Sequence, residues 1–429
     1  MFTQRSMLSL LLVLAMVFAV APAAAQEEEL TGDFTVAHYW SSGFALDFIE
    51  KVINDFVAMH PGLKRVESPV EHEQFKTQIL VQLAGENPPD AFSYWAGARV
   101  QFIVDSDRLE PINDIWEKHQ MDEIFAPALI DSAVIYNGDK YLIPVTQHWV
   151  GFFYNKALFE QVGAEVPTTW DELKAVAEQF KEADIPAFAL GSRERWPAQF
   201  WFDMILLRTA GPEYRARLMA GEAAYTDPEV MRAFELWKEL VDAGYFFPDA
   251  NAYDWLEAAD FVANGEAAMT LMGTWVMGHY LNDLGLVPEE DFDYFAFPII
   301  DEDVPHCSLG PIDGFVMPAA AKNPDAAKAF LVYLTDPEVQ LAFAEGGGHL
   351  APSLKADTSG YDPVKKRIAA EVAADPVFAF NYDLATPPPV AEVGLNAFSE
   401  FMANPDGYLE MLERVQEDAA AEFAGLASQ

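Results

Sequence analysis

The chain holds a single cysteine, Cys307, so no intramolecular disulfide can form. At 429 residues it can bury enough core to do without one. Cys307 also lies far from the N-terminal region, which leaves no cysteine there for lipid attachment. Basic residues are scarce: 26 Lys and Arg stand against 68 Asp and Glu, a net charge of −42. Such a surface repels nucleic acid and anionic lipid, and it disfavours an anionic ligand without a local basic patch. The acids run along the whole chain rather than forming a tail, as on a solvated, self-repelling surface suited to saline surroundings. Catalytic and metal motifs are missing too. There is no His-Glu-x-x-His, no Gly-x-Ser-x-Gly, and no Lys-Ser or Lys-Thr after Gly346-Gly347-Gly348, so neither metal nor cofactor is expected. Paired carboxylates for glycoside hydrolysis cannot be picked out, because 68 acids make any one pair uninformative.

What is present begins with an export signal. Arg5, the apolar run Leu8 to Val20, and Pro22-Ala23-Ala24-Ala25 before an acidic stretch predict a signal peptide over residues 1–25. An uncleaved anchor would need about 20 apolar residues, and no later run is long enough to span a bilayer. The expected product is a soluble periplasmic or extracellular protein. With 51% hydrophobic residues it folds rather than staying disordered, and its length suggests two to three domains.

The remainder alternates strand and helix. Phe34 to Trp40 reads as a strand. Phe44, Phe48, Ile49, Val52, Ile53, Phe56 and Val57 then form one helical face, which Pro61-Gly62 stops. A strand over Leu63 to Val70, a helix over Gln74 to Leu83 and a strand over Asp90 to Trp95 follow, implying a mostly parallel sheet. Tyr136 to Val145 predicts a hairpin turning at Asn137-Gly138-Asp139. Near residue 150 the pattern starts afresh, with Gly151 to Tyr154 as a strand and Thr169 to Glu172 at capping-box spacing. Further strands are predicted at Ile185 to Leu190, Ala267 to Met272, Phe292 to Ile300 and Gly314 to Met317. Helices are predicted after Asp227, Asn323 and Asp336, and the three prolines within Leu384 to Val390 predict an extended segment.

Several of the 10 tryptophans stand beside turns rather than in apolar stripes. Trp40, Trp95 and Trp275 lie at or just past strand ends, where α/β sheets place ligands, and Trp196 precedes Pro197. An aromatic face suits the C–H patch of a pyranose, and carboxylates, amides or imidazoles suit its hydroxyls. Glu73, Asp90, Gln147, His148, Arg195 and Asp313 are the polar candidates close by. Trp116, Trp170 and Trp237 lie among aliphatic residues and read as core.

A set of short segments, in order, resembles the extracellular solute-binding proteins of ABC sugar importers. They are Phe56 to Gly62, Gly85 to Asp90, Asn137 to Pro144, Tyr154-Asn155-Lys156, Pro167 to Leu173, Phe261 to Trp275, Gly310 to Met317 and Ala326 to Asp336. The resemblance implies an α/β fold of two lobes, each a mixed sheet flanked by helices, with the ligand held between them. Residues 26–146 would form lobe 1, with 275–314 returning to it. Residues 149–272 would form lobe 2, with 318–429 mostly returning. Three crossings would fall near Val145 to His148, Met272 to Trp275 and Phe315 to Pro318. The resemblance further implies a sugar ligand, permease subunits as partners, a monomer, and no enzymatic step. It is most similar to binders of glucose-type monosaccharides and small glycosides. Ser93 to Gly97, Gln147-His148, Trp196, Trp275, Asp313 and, with a looser match, Asp383 occupy their contact positions; Trp95 stands where some relatives carry His. Two alternatives stay open at this point: a secreted glycoside hydrolase, and the same fold binding another solute such as a polyamine.

Overall fold

The computed structural model describes residues 29–66, 70–85 and 87–428; the expected leader over 1–25 lies outside them. The first lobe opens with β1 (Thr31–Ala37) and α1 (Gly43–Met59). This helix buries Ile49, Val52, Ile53 and Phe56, the stripe seen in the sequence. Each such side chain contributes about 1.5–3 kcal/mol when fully buried. Next come β2 (Gly62–Val66), α2 (His72–Ala84), β3 (Ala91–Trp95) and α3 (Ala98–Val104). The predicted hairpin shrinks to Ile135–Tyr136 paired with Asp139–Lys140, because the following run, β4 (Leu142–Gln147), enters the main sheet instead.

The chain then crosses to the second lobe with β5 (Val150–Asn155). Thr169 starts α4 (Trp170–Glu182) with the predicted capping box: its hydroxyl accepts from the Glu172 N–H, and the Glu172 carboxylate accepts from the Thr169 N–H. β6 (Phe188–Ala189), α5 (Gln199–Thr209), α6 (Pro228–Asp242), β7 (Met269–Gly273) and β8 (Phe292–Phe295) follow. Then β9 (Ile312–Val316) returns to the first sheet, with α7 (Pro324–Tyr333) and α8 (Pro337–Gly347) packed behind it. The first sheet runs β2-β1-β3-β9-β4 and the second β8-β5-β7-β6. Only β1 with its two neighbours and β6 with β7 are parallel, so both sheets are mixed rather than mostly parallel. Trp116 is fully buried in the first core and Trp237 in the second, where Trp170 is also buried.

Several sequence expectations need correction. By core membership the chain passes to the second lobe between Val145 and Trp149, back between Leu309 and Ile312, and over again after Phe343, not near Met272 to Trp275 or Phe315 to Pro318. Residues 275–309 stay with the second lobe: Val276, Tyr280, Phe292 and Leu309 lie in its core. Ala326, Phe330 and Phe343 belong to the first. The cause is β8, an apolar strand that pairs antiparallel with β5; nothing local in its sequence says which sheet it joins. Glycine is needed at the second crossing, where a Cβ on Gly310 would run into the His148 carbonyl. It is needed at the third as well, where Gly348 has φ +74°. The segment expected to be extended is not: Pro388 starts a helix, α9 (Pro388–Ala403), where a missing N–H costs nothing in the first turn.

Candidate functional site

A cleft of about 600 Å³ lies between the lobes. Three of its tryptophans sit where the sheets end: Trp40 just beyond β1, Trp95 at the end of β3, and Trp275 just beyond β7. Trp196, ahead of α5, and Trp255, at the start of the helix Trp255–Ala263, complete the aromatic walls. Trp95 stacks on Tyr39 with ring centres 4.2 Å apart and planes 13° apart. Trp196 and Trp275 meet edge to face at 5.8 Å. Near the rim, the Phe44 N–H of α1 donates to Asp283 of the second lobe at 3.3 Å, so the lobes touch there.

The polar groups are buried among these rings. Asp313, on β9, accepts from the Thr146 hydroxyl through Oδ2 at 3.0 Å, with His148 Nε2 3.6 Å from the same oxygen. Burial, together with the nearby Asp313 carboxylate that its hydroxyl approaches, pushes the Tyr39 phenol well above its usual range. His148 Nδ1 lies 3.0 Å from the Thr274 hydroxyl, and its ring meets His349 at 4.9 Å. Burial, with His148 and Lys365 adding, drives the His349 pKa well below 6.5, so this ring is neutral. Across the cleft, Asp383 accepts from Arg99 at 3.0 Å and from the Asn381 amide at 2.5 Å, and its own N–H donates to Gln199 Oε1 at 2.8 Å. His349 Nε2, Asn381 Oδ1, Gln199 Nε2 and Glu194 Oε2 have no hydrogen-bond partner among the described residues.

Four cleft residues (Glu194, Gln199, His349 and Asn381) thus each carry a buried polar atom without a hydrogen-bond partner among the described residues. Buried polar groups are nearly always paired, and leaving one unpaired costs about 1–3 kcal/mol. The other acids of the cleft are already matched. Burial alone would raise Glu73, but His72 and Lys76 outweigh it and hold its carboxyl down at about 2. Asp254 is bound by Arg193 at 2.6 Å. Among the described residues, no group of three or more His, Cys, Asp or Glu could hold a metal ion.

Of the residues expected from sequence, Trp40, Glu73, Trp95, His148, Trp196, Trp275, Asp313 and Asp383 line the cleft. Asp90, Gln147 and Arg195 do not. Asp90 is buried elsewhere and accepts from the N–H groups of Thr35 and Asn323, pinning β1 to the start of α7. Gln147 exchanges backbone hydrogen bonds with Leu350 at the hinge. Arg195 points away and binds Glu392 and Asn396 on α9. Sequence reasoning missed Tyr39, Glu194, Gln199, Trp255, His349 and Asn381. Tyr39, Glu194 and Asn381 each lie within two residues of one that was found, and that proximity was the only signal.

Two α/β lobes linked by three crossings, with an aromatic cleft holding unpaired polar atoms, define a receptor that closes over a small solute. The chain belongs to the family of bacterial extracellular solute-binding proteins, whose family model matches residues 45–341. It is 32% identical over 394 residues to an uncharacterized ABC transporter extracellular-binding protein of Pyrococcus horikoshii, covering 87% of this chain and 86% of that one. It is 26% identical over 297 residues to a "probable sugar-binding periplasmic protein" of Mesorhizobium japonicum, covering 68% of each. Among solved structures, it superposes with a TM-score of 0.84 on a bacterial solute receptor described as exclusive for β-D-galactopyranose. The identity there is 26%, over 92% of this chain and 99% of the other. No helix among the described residues is long and apolar enough to cross a membrane.

Proposed function

We propose that this protein captures a neutral monosaccharide or small oligosaccharide outside the cytoplasm. By closing its lobes, it delivers the sugar to the permease subunits of an ABC importer. The observation that carries the reading is one cleft lined by tryptophan faces together with carboxylate, amide and imidazole side chains, which suits a solute with apolar C–H faces and many hydroxyls. Relatives named for sugars, including the galactopyranose receptor and a diacetylchitobiose binding protein of Streptomyces coelicolor, support the same class. The protein acts as a monomeric binder, exported by its leader, and performs no catalysis.

A polyamine would need several carboxylates without a cationic partner along the cleft, yet Glu73 is paired with Lys76, Glu194 and Asp254 with Arg193, and Asp383 with Arg99. A glycoside hydrolase would need one carboxylate free to hold a proton and another facing it across the sugar. Calorimetric titration with a sugar and polyol panel tests the reading. Saturable heat with at least one neutral sugar is expected, and silence across the panel would refute it. Steady product release from aryl glycosides would replace binding with hydrolysis.

A further inference from the structure

The cleft wall contains one backbone conformation that requires a cause. Arg195 has φ +68° and ψ −37°. Gln120 and Asp249 also have positive φ, but with ψ of 45° and 46° they sit in the ordinary left-handed well. Arg195 lies outside that well, where a side chain is strained and glycine is not. The Trp196 N–H donates to the Glu194 carbonyl at 2.8 Å, closing a three-residue γ-turn of the rare, positive-φ hand. The residues before the turn are fixed in place. The Arg195 N–H donates to the Ser192 carbonyl at 2.9 Å, and the Arg193 N–H to the Tyr253 carbonyl at 2.9 Å.

This turn sends its two flanking side chains into the cleft. Glu194 lines the cleft with its Oε1 held by Arg193 Nε at 3.2 Å, and Trp196 rests edge-on against Phe200 and Trp275. The Arg195 side chain goes the other way. Its Nη1 donates to Glu392 Oε2 at 2.8 Å and to Asn396 Oδ1 at 2.7 Å, two residues one helical turn apart on α9. Strain of this sort persists only where its surroundings over-determine it, and it clusters at ligand clamps. The α9 grip supplies that over-determination.

We propose that Arg195 is a positioning residue. Clamped to Glu392 and Asn396, it holds a strained turn that presents Glu194 and Trp196 to the sugar as one rigid pair, Trp196 to a ring face and Glu194 to a hydroxyl. This rests on the sugar-binding reading above, and it assigns to Arg195 a role without ligand contact.

Three variants test it: Arg195→Gly, which relieves the strain and loses the clamp; Arg195→Ala, which loses the clamp only; and the double substitution Glu392→Ala with Asn396→Ala. For the tightest sugar of the panel, Kd is expected to rise roughly tenfold in all three, since two side chains lose their pre-organisation. Arg195→Gly is expected to melt at a higher temperature than Arg195→Ala while binding no better. A role confined to holding the fold together would move affinity and stability in the same direction. Wild-type affinity in Arg195→Gly would overturn the proposal. A second readout needs no ligand: acrylamide quenching of Trp196, taken as the difference between each protein and its Trp196→Phe partner. It is expected to increase in the clamp-free variants. Should no sugar bind the wild type, the sugar-binding reading falls; unchanged quenching would then overturn the positioning role, and increased quenching would sustain it.

Discussion

Arg99 of the first lobe donates to Asp383 at 3.0 Å, and both are buried. The Asp383 segment is shared between lobes, since Tyr382 lies in the second core and Leu384 in the first. Burial alone would lower the Arg99 pKa, but Asp383 outweighs it and raises it. The pair therefore ties the lobes together behind the cleft.

Asp383→Ala is expected to destabilise the protein by about 3–5 kcal/mol, because it strands a buried guanidinium. Urea unfolding measures this. Arg99→Met combined with Asp383→Leu should recover much of the loss, since neither charge is then left buried alone.

Asp313→Ala is expected to weaken sugar binding by about 2 kcal/mol, roughly thirtyfold, through loss of a charge-assisted acceptor. Asp313→Asn should fall between the two, since its amide keeps one acceptor. Trp275→Ala should cost at least roughly tenfold by removing a stacking face. Calorimetry on the preferred sugar reads all three; affinities equal to wild type would remove these residues from the site.

His349 makes stability depend on pH. Its folded pKa is depressed below 6.5, so between those values the unfolded chain binds a proton that the folded chain does not. Its contribution is therefore complete above about pH 6.5 and is lost as pH falls toward the folded value. His349→Gln should flatten the fall in melting temperature just below pH 6.5. A variant with an unchanged pH profile would show that another group controls it.

The net charge of −42 should make stability salt-dependent. Raising salt from 0.01 to 0.15 M shortens the screening length from about 30 to about 8 Å and relieves the self-repulsion of the folded surface. The melting temperature is expected to rise with NaCl and equally with KCl. A flat response would mean that the acids are balanced locally.

Local signals in the sequence carried far. The capping box at Thr169, the α1 stripe and the tryptophans beyond β1, β3 and β7 were legible because each depends on neighbours a few residues away. What failed was long-range. Asp90 was read as a ligand contact because a buried carboxylate at a strand start looks the same whether it faces a sugar or the N–H of Asn323. Arg195 was named for its charge, but its direction depends on α9, far along the chain. The lobe assignment of 275–309 failed for the same reason, since β8 pairs with a strand near residue 150.

β9 lies between β3 and β4, hydrogen-bonded to both. A chain emerging N-terminus first therefore has four of the five strands of its first sheet long before the one that joins β3 to β4 arrives. Until residue 316 is available, β3 and β4 have no strand between them and expose open edges of the kind that pair with other chains. Release of a partly made chain before that point would leave the first lobe dependent on a holding chaperone. Its folding is thus timed by the arrival of one five-residue strand.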